Sequence, residues 1–397
     1  MVISAVKSEV TQLGAQRSVA PRPGKFDAPI YVTRPLLPDL GQYTSHLEDI
    51  WESGWLSNGG AKSQKLEEAL CDYLQAENLS LFNNGTIALI TACQALRLSG
   101  EVITTPFTFP ATPHVLSWNQ ITPVSADIDP VTMTLDPEKI EPLITSKTSG
   151  ILGVHVYGMP CAVNAIQEIA DFYGLKVVYD AAHAFGTTID GTPIANFGDA
   201  TMFSFHATKL FHTAEGGALV LRDPALRRRV ELLKNFGIKD EATVIMPGIY
   251  GKMNELQAAL GLITLREVSR EKLARVAVAQ AYRERLSNIP GLSIFDLPDN
   301  VSHSQQYFIV RINQENCGVS RDEVFEQLQE FNIFARRYFH PLCSEYGCYK
   351  SLPSSNPNNL AVAHRAAHEV LSLPFYCALG QDDAHRICDA LEYILGR

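Results

Sequence analysis

Residues 199–220 read DATMFSFHATKLFHTAEGGALV. A strand-like run, Thr201–His206, delivers Lys209 into a polar turn. Glu215-Gly216-Gly217 and a second apolar run, Ala218–Leu221, follow. Two readings of this lysine stand side by side. In one it is a surface residue in a hairpin-like turn. In the other it is held beside a pocket, where burial lowers its pKa and frees a neutral amine to act as nucleophile or base.

Upstream, another short apolar run, Lys176–Asp180, ends in an acid and continues as AAHAFG. A strand-end carboxylate followed by a strand-end lysine is the pair that pyridoxal phosphate (PLP) uses. The lysine forms the Schiff base, and the acid pairs with the pyridinium nitrogen and keeps it protonated.

Working outward, short apolar runs alternate with helical patterns. Leu79–Phe82, Glu101–Thr105, Ile121–Ile128, Ile151–Tyr157 and Lys176–Asp180 read as strands. Thr86–Leu98, Thr112–Trp118 and Asn164–Tyr173 read as helices between them. Such alternation implies an α/β fold, with a mostly parallel sheet flanked by helices and ligands bound beyond the carboxyl ends of the strands. Asn84, Phe109, Asp180 and Lys209 all fall at or just after strand ends.

Before this block, Pro29–Leu40 is kept extended by its prolines. The Gly54–Gly60 loop, GWLSNGG, is dense in small residues that allow close approach to a ligand. After it, Met253–Leu286 is one long helical pattern that carries the chain into a smaller α+β part. There Gln306–Ile312 and Ile333–Tyr338 read as strands, Arg321–Gln329 and Ala384–Leu395 as helices. The expected division is an N-terminal extension over 1–28, a large domain over 29–265 and a small C-terminal domain over 266–397.

Composition narrows the function. The 397 residues, 46% apolar and 19% charged, suit a soluble globular chain with a sizeable core. A formal net charge of −10, with no basic block beyond Arg227–Arg229, argues against nucleic-acid binding. No apolar run is long enough to cross a membrane, and the N-terminus lacks a signal-peptide pattern. The eight cysteines show no CxxC and read as reduced thiols, so the expected compartment is the cytoplasm.

Each further signal has a plainer reading beside it. Asn83-Asn84-Gly85-Thr86 opens a helix whose free N–H groups suit a phosphate, or it is a simple cap. Phe109 stacks on a flat ring or fills the core. His183 touches a cofactor ring or is an ordinary partly buried histidine. Ser204 donates to a phosphate or faces the sheet. His364 and His368, at i and i+4, lack the glutamate and third ligand of a zinc site and read as a solvated helix face. Cys343 and Cys348 read as packing residues. Motifs of serine hydrolases, P-loop NTPases and dinucleotide dehydrogenases are absent from the sequence.

Taken together, NNGT, PFTFPAT, YDAAHAFG and FSFHATK…EGG resemble, in order and spacing, the DegT-type nucleotide-sugar aminotransferases, PLP enzymes of fold type I. The resemblance runs from about Pro29 to the C-terminus. FSFHATK with EGG is most similar to the branch that aminates C4 of a nucleotide-linked 4-keto-6-deoxy sugar. PIYVTRPLLP, WLSNGG and ARRYFHPL resemble the 4-amino-4,6-dideoxyglucose enzymes of that branch.

The resemblance implies roles. Lys209 is the Schiff-base lysine and the acid/base for the proton shift, and Asp180 binds the pyridine nitrogen. His183 lies near O3′, Phe109 stacks on the ring, and Gly85, Thr86 and Ser204 hold the phosphate. It also implies L-glutamate and a keto sugar nucleotide, such as dTDP-4-keto-6-deoxyglucose, as substrates, and a homodimer with shared active sites. A loop corresponding to Gly248–Met253 then reaches into the neighbour's site. There the family commonly has asparagine two residues before a basic residue, whereas this sequence has Tyr250 before Lys252, a longer and bulkier donor. Keto-inositol amination, or regulatory PLP binding without turnover, are the alternative readings.

Overall fold

The computed structural model describes residues 22–396. A seven-stranded sheet is built from Leu79–Phe82 (β1), Glu101–Thr104 (β2), Thr122–Ser125 (β3), Thr148–Val154 (β4), Lys176–Asp180 (β5), Ala200–Ser204 (β6) and Gly217–Leu221 (β7). Its order is β1-β7-β6-β5-β4-β2-β3. β7 runs antiparallel to both β6 and β1, and the remaining neighbours are parallel. The connection between β6 and β7, residues 205–216, carries Lys209 through turns and forms no helix, and the chain returns antiparallel.

Alternate side chains of each strand enter different cores, as a period of two requires. Val177, Tyr179, Phe203 and Ala218 pack under Ala61–Leu74 (α2) and Val163–Tyr173 (α5), which contribute Leu66, Leu70 and Ile166. Val178, Met202 and Leu219 face the opposite way, against Ala88, Leu89, Leu116 and Val230. Those residues belong to Gly85–Ala95 (α3), Ala111–Trp118 (α4) and Pro224–Leu233 (α6). The first helix, Leu40–Ser53 (α1), starts at Asp39, whose side chain caps Gln42 N–H. Burial on both faces explains why the strands read as continuous apolar runs.

One of the expected strands is shorter in the structure and another is shifted. The run Ile121–Ile128 keeps only Thr122–Ser125 in the ladder. After β3, Asp127 uses its carboxylate on backbone N–H groups of other segments. The run Ile151–Tyr157 begins earlier and stops at Val154, which pairs with Asp180 at the sheet edge. Val156–Gly158 then forms a single tight turn.

Glu255–Leu286 (α7) is one helix of 32 residues, opened by a capping box between Asn254 and Gln257. It packs on α1 and α2 near its start and on Gly380–Ile394 (α10) near its end. A second core surrounds its C-terminal half. The antiparallel strands Leu292–Ile294 (β8), Phe308–Ile312 (β9) and Val370–Leu373 (β10) meet there with Arg321–Glu330 (α8) and α10. Of the expected extension over 1–28, residues 1–21 lie outside the described residues. Phe26 is buried in the second core, its N–H bonded to Phe331 O at 3.1 Å. Ile30–Tyr31 pairs in parallel with Ile333–Phe334. The strand expected over Ile333–Tyr338 ends at Phe334, because Tyr338 and Phe339 turn away to line the pocket described below.

The two parts are also joined by a helix cap. The N-terminus of Ala361–Glu369 (α9) has no cap from its own Leu360. Asp127, just beyond β3, accepts from Val362 N–H at 2.9 Å and Ala363 N–H at 2.8 Å. A carboxylate there satisfies orphan donors and meets the positive end of the helix dipole. Asp127→Ala is expected to lower stability by about 1–2 kcal/mol, read as a lower urea midpoint. An unchanged midpoint would mean that water serves α9 equally well.

Candidate active site

At the carboxyl edge of the sheet, β1, β5 and β6 end around a cavity of about 310 Å³. Gly85, Thr86, Phe109, Asp180, His183, Ser204 and Lys209 all line it. These are the residues singled out from the sequence, with one exception. Tyr250 lies outside it, on a loop, 46% exposed, its ring stacked on Phe236 and under the Lys252 ammonium.

Asp180 ends β5 and is 5% exposed. Its Oδ1 accepts from Ala182 N–H at 3.0 Å and its Oδ2 from the Thr112 hydroxyl at 2.9 Å. Thr112 in turn meets the Thr108 hydroxyl at 2.9 Å. Burial pushes the carboxyl pKa up, and the Ala182 N–H, the Thr112 hydroxyl and the nearby Lys209 charge pull against it. Lys209 sits in the turn after β6, its N–H bonded to His206 O at 2.9 Å. Desolvation lowers its pKa to about 8, with Asp180 opposing that shift. Lys209 lines the pocket beside Asp180 instead of standing free on the surface, and the desolvation there favours its neutral amine.

His183 is buried, and desolvation, assisted by the Lys209 charge, drives its pKa well below the ordinary value. Its Nδ1 accepts from Tyr157 N–H at 3.2 Å. A neutral imidazole with Nδ1 as acceptor must carry its proton on Nε2. The ring is packed against Tyr307 and lies parallel to Phe339.

The start of α3 supplies the anion end. Asn84 caps the helix by accepting from Ile87 N–H at 2.8 Å, so the simple-cap reading holds. The Gly85 and Thr86 N–H groups still lack intrahelical partners, as the first turn of any helix does. The cap therefore leaves those N–H groups open, and the two readings are compatible. A Cβ on Gly85 would come within 3.1 Å of Ser204 Cβ, so the helix start and Ser204 form one cradle. Gly217 makes this possible, since a Cβ there would stand 2.7 Å from Gly85 N. Phe109 is 58% exposed at the pocket, which removes the core reading and leaves a ring face free to stack. A flat pyridine bearing a phosphate and an aldehyde fits this donor set: N–H groups and a hydroxyl at one end, a carboxylate for a ring nitrogen, an aromatic face, and an amine.

Several contributors were not singled out in the sequence. Thr108 and Thr112 lie in TTPFTFPAT, close to Phe109, but the bond from Thr112 to Asp180 joins α4 to the end of β5. Tyr307, Tyr338 and Phe339 reach the pocket from a separate cluster that they form with Phe107, Val154 and Tyr157. His206 and Glu215, 3.7 Å apart, also line it. Elsewhere, Cys343 is buried as expected, whereas Cys348 is exposed and does not pack. On α9, His364 is half-buried and His368 exposed.

Comparison with known proteins adds an independent line. The model of the DegT/DnrJ/EryC1/StrS aminotransferase family matches residues 41–392. The dTDP-4-amino-4,6-dideoxy-D-glucose transaminase of Escherichia coli is 44% identical over 92% of this chain and 98% of its own length. The Shigella dysenteriae protein of the same name is 43% identical over 93% of this chain and 98% of its own. Among solved structures, DesI determined with its TDP-sugar product superposes with a TM-score of 0.90 at 38% identity, covering 94% of this chain and 95% of that one.

Proposed function

Since this chain belongs to the DegT/DnrJ/EryC1/StrS aminotransferase family, we propose that it moves the amino group of L-glutamate onto C4 of dTDP-4-keto-6-deoxy-D-glucose. The chain is a PLP-dependent aminotransferase that aminates a keto sugar nucleotide. The particular sugar, carbon and donor are our reading. The observation that carries it is the meeting of Lys209 and Asp180, from neighbouring strand ends, in one pocket with a phosphate cradle.

PLP supplies an aldehyde that exchanges with amines and a ring that accepts the electron pair released at the substrate carbon. The chain does the rest. Lys209 would hold the cofactor through its amine and, once the amino donor has taken its place, would be the base that takes the proton at the donor's Cα and the acid that supplies one at the sugar carbon. Asp180 holds a proton on the ring nitrogen. His183 donates from Nε2 toward the phenolic oxygen. Phe109 covers one ring face, and the Gly85 and Thr86 N–H groups with Ser204 bind the phosphate.

The pocket's own lining contains no arginine, although it must accept a dicarboxylate and a sugar diphosphate. Exposed apolar side chains at Leu40, Trp51, Trp55, Leu56, Phe236 and Ile245 support a second copy of the chain covering that opening. Tyr250 and Lys252 are the groups we assign to the partner's phosphate. A boundary near residue 265, inside α7, and a cytoplasmic location belong to the same reading. No helix among the described residues is long and apolar enough to cross a membrane.

One cuvette tests the function. The visible band of the PLP-loaded protein is expected to fall when L-glutamate is added and to return with dTDP-4-keto-6-deoxyglucose. Loss without return removes that sugar from the proposal. No change with glutamate removes glutamate as donor.

A further inference from the structure

Gln306 comes from the second core, just before β9, and is 1% exposed. Its side-chain amide does not stay in that core. Oε1 accepts from Leu210 N–H at 2.7 Å, and Nε2 donates to Thr208 O at 3.0 Å. The amide orientation is settled by its partners, since a backbone N–H must face the oxygen and a carbonyl must face the NH2.

These two contacts bracket Lys209. Thr208 C=O belongs to the peptide plane before the lysine, and Leu210 N–H to the plane after it. Peptide planes are rigid, so the relative orientation of two adjacent planes is set by φ and ψ of the residue between them. One amide holding both planes thereby sets the backbone torsions of Lys209 and the direction of its Cα–Cβ bond.

The clamp is itself anchored. The Arg275 guanidinium, on α7, donates to Gln305 O at 3.2 Å and Gln306 O at 3.5 Å. Arg275 is fixed by Glu271 at 2.9 Å, both residues being buried. Glu271 also accepts from Cys377 N–H at 3.2 Å. The residue after the clamp, Tyr307, forms part of the pocket wall against His183.

We infer that Gln306 is a positioning residue for the reaction: from outside the sheet, it aims the lysine that carries the cofactor. The inference rests on the role given to Lys209 above. A bland interdomain hydrogen bond predicts a loss of stability alone. A positioning role predicts a local change at residues 208–210 and a slower lysine.

The test uses the full-length protein with Gln306→Met, which keeps length and bulk but makes neither hydrogen bond, and Gln306→Glu, which keeps an acceptor for Leu210. Amide exchange at Leu210, followed in the cofactor-free protein, is expected to speed up about tenfold in Gln306→Met, the scale of one lost hydrogen bond. The rate at which Lys209 captures added PLP, read by absorbance, is expected to fall about tenfold, and kcat to fall with KM for glutamate unchanged. Gln306→Glu should restore the Leu210 protection. If both variants are too unstable to purify, the role is structural and the inference fails. It fails equally if Gln306→Met exchanges, captures PLP and turns over like the unaltered protein while that protein, after borohydride reduction, carries PLP on Lys209. If the unaltered protein carries no PLP on Lys209, the functional reading falls, and this inference with it.

Discussion

Lys209→Ala is expected to cut transamination by about 10⁴-fold or more, the upper range for a positioned acid–base group, with the added loss of the nucleophile that holds the cofactor. The fold should survive. Lys209 makes no side-chain hydrogen bond to any described residue, and alanine suits the turn that its N–H closes on His206 O. The same lysine gives a pH signature. With its pKa lowered to about 8 by desolvation, capture of PLP by the cofactor-free protein should accelerate as pH rises through about 8 and level off above. An exposed lysine, near 10.5, would place that rise more than two units higher. Stopped-flow absorbance separates the two cases. Wild-type turnover in the alanine variant would overturn the assignment of Lys209.

How much of this site was legible in the chain depends on how local each interaction is. Lys209, Asp180, Gly85 and Thr86 sit at strand ends, where an apolar run breaks into a polar turn, and that break is visible in one dimension. The antiparallel course of β7 was not drawn from the alternation of strands and helices. It goes with the helix-free connection that holds Lys209, since parallel neighbours are usually joined through a crossover helix. Thr112 and Gln306 were missed for a different reason. Each acts through a hydrogen bond to a distant segment, Asp180 in one case and the Lys209 turn in the other. Nothing in a run of neighbours reports such a contact. The stretch Ile333–Tyr338, IFARRY, reads as a strand from Ile333, Phe334 and Tyr338, yet only Ile333–Phe334 form one, and Arg336 adds a single bridge to Ser372. Phe109 shows the converse: burial was the default for an aromatic side chain, yet its ring is exposed at the site.

Asp180→Asn isolates the charge from the shape. Asparagine can keep the bond from Ala182 N–H through its oxygen. Its NH2 then faces the Thr112 hydroxyl, which can rotate to accept. The variant should therefore fold and retain its pocket. What it loses is a buried negative charge with two consequences of known sign. The first concerns Lys209. Asp180 opposes the desolvation that lowers the lysine pKa, so removing the carboxylate lets that pKa fall further. The pH at which PLP capture accelerates should move down, although the protein has lost an acid. The second concerns turnover. Leaving a buried cation without its partner costs about 3–5 kcal/mol, and at about 1.4 kcal/mol per decade a loss of that size in the barrier corresponds to a fall of roughly 10²- to 4 × 10³-fold in kcat. The two readouts constrain each other. A loss of turnover with an unmoved capture profile would mean that Asp180 acts on the ring alone and does not sense Lys209. A shifted profile with full turnover would mean that the ring nitrogen finds its proton elsewhere, and the role assigned to Asp180 would be wrong.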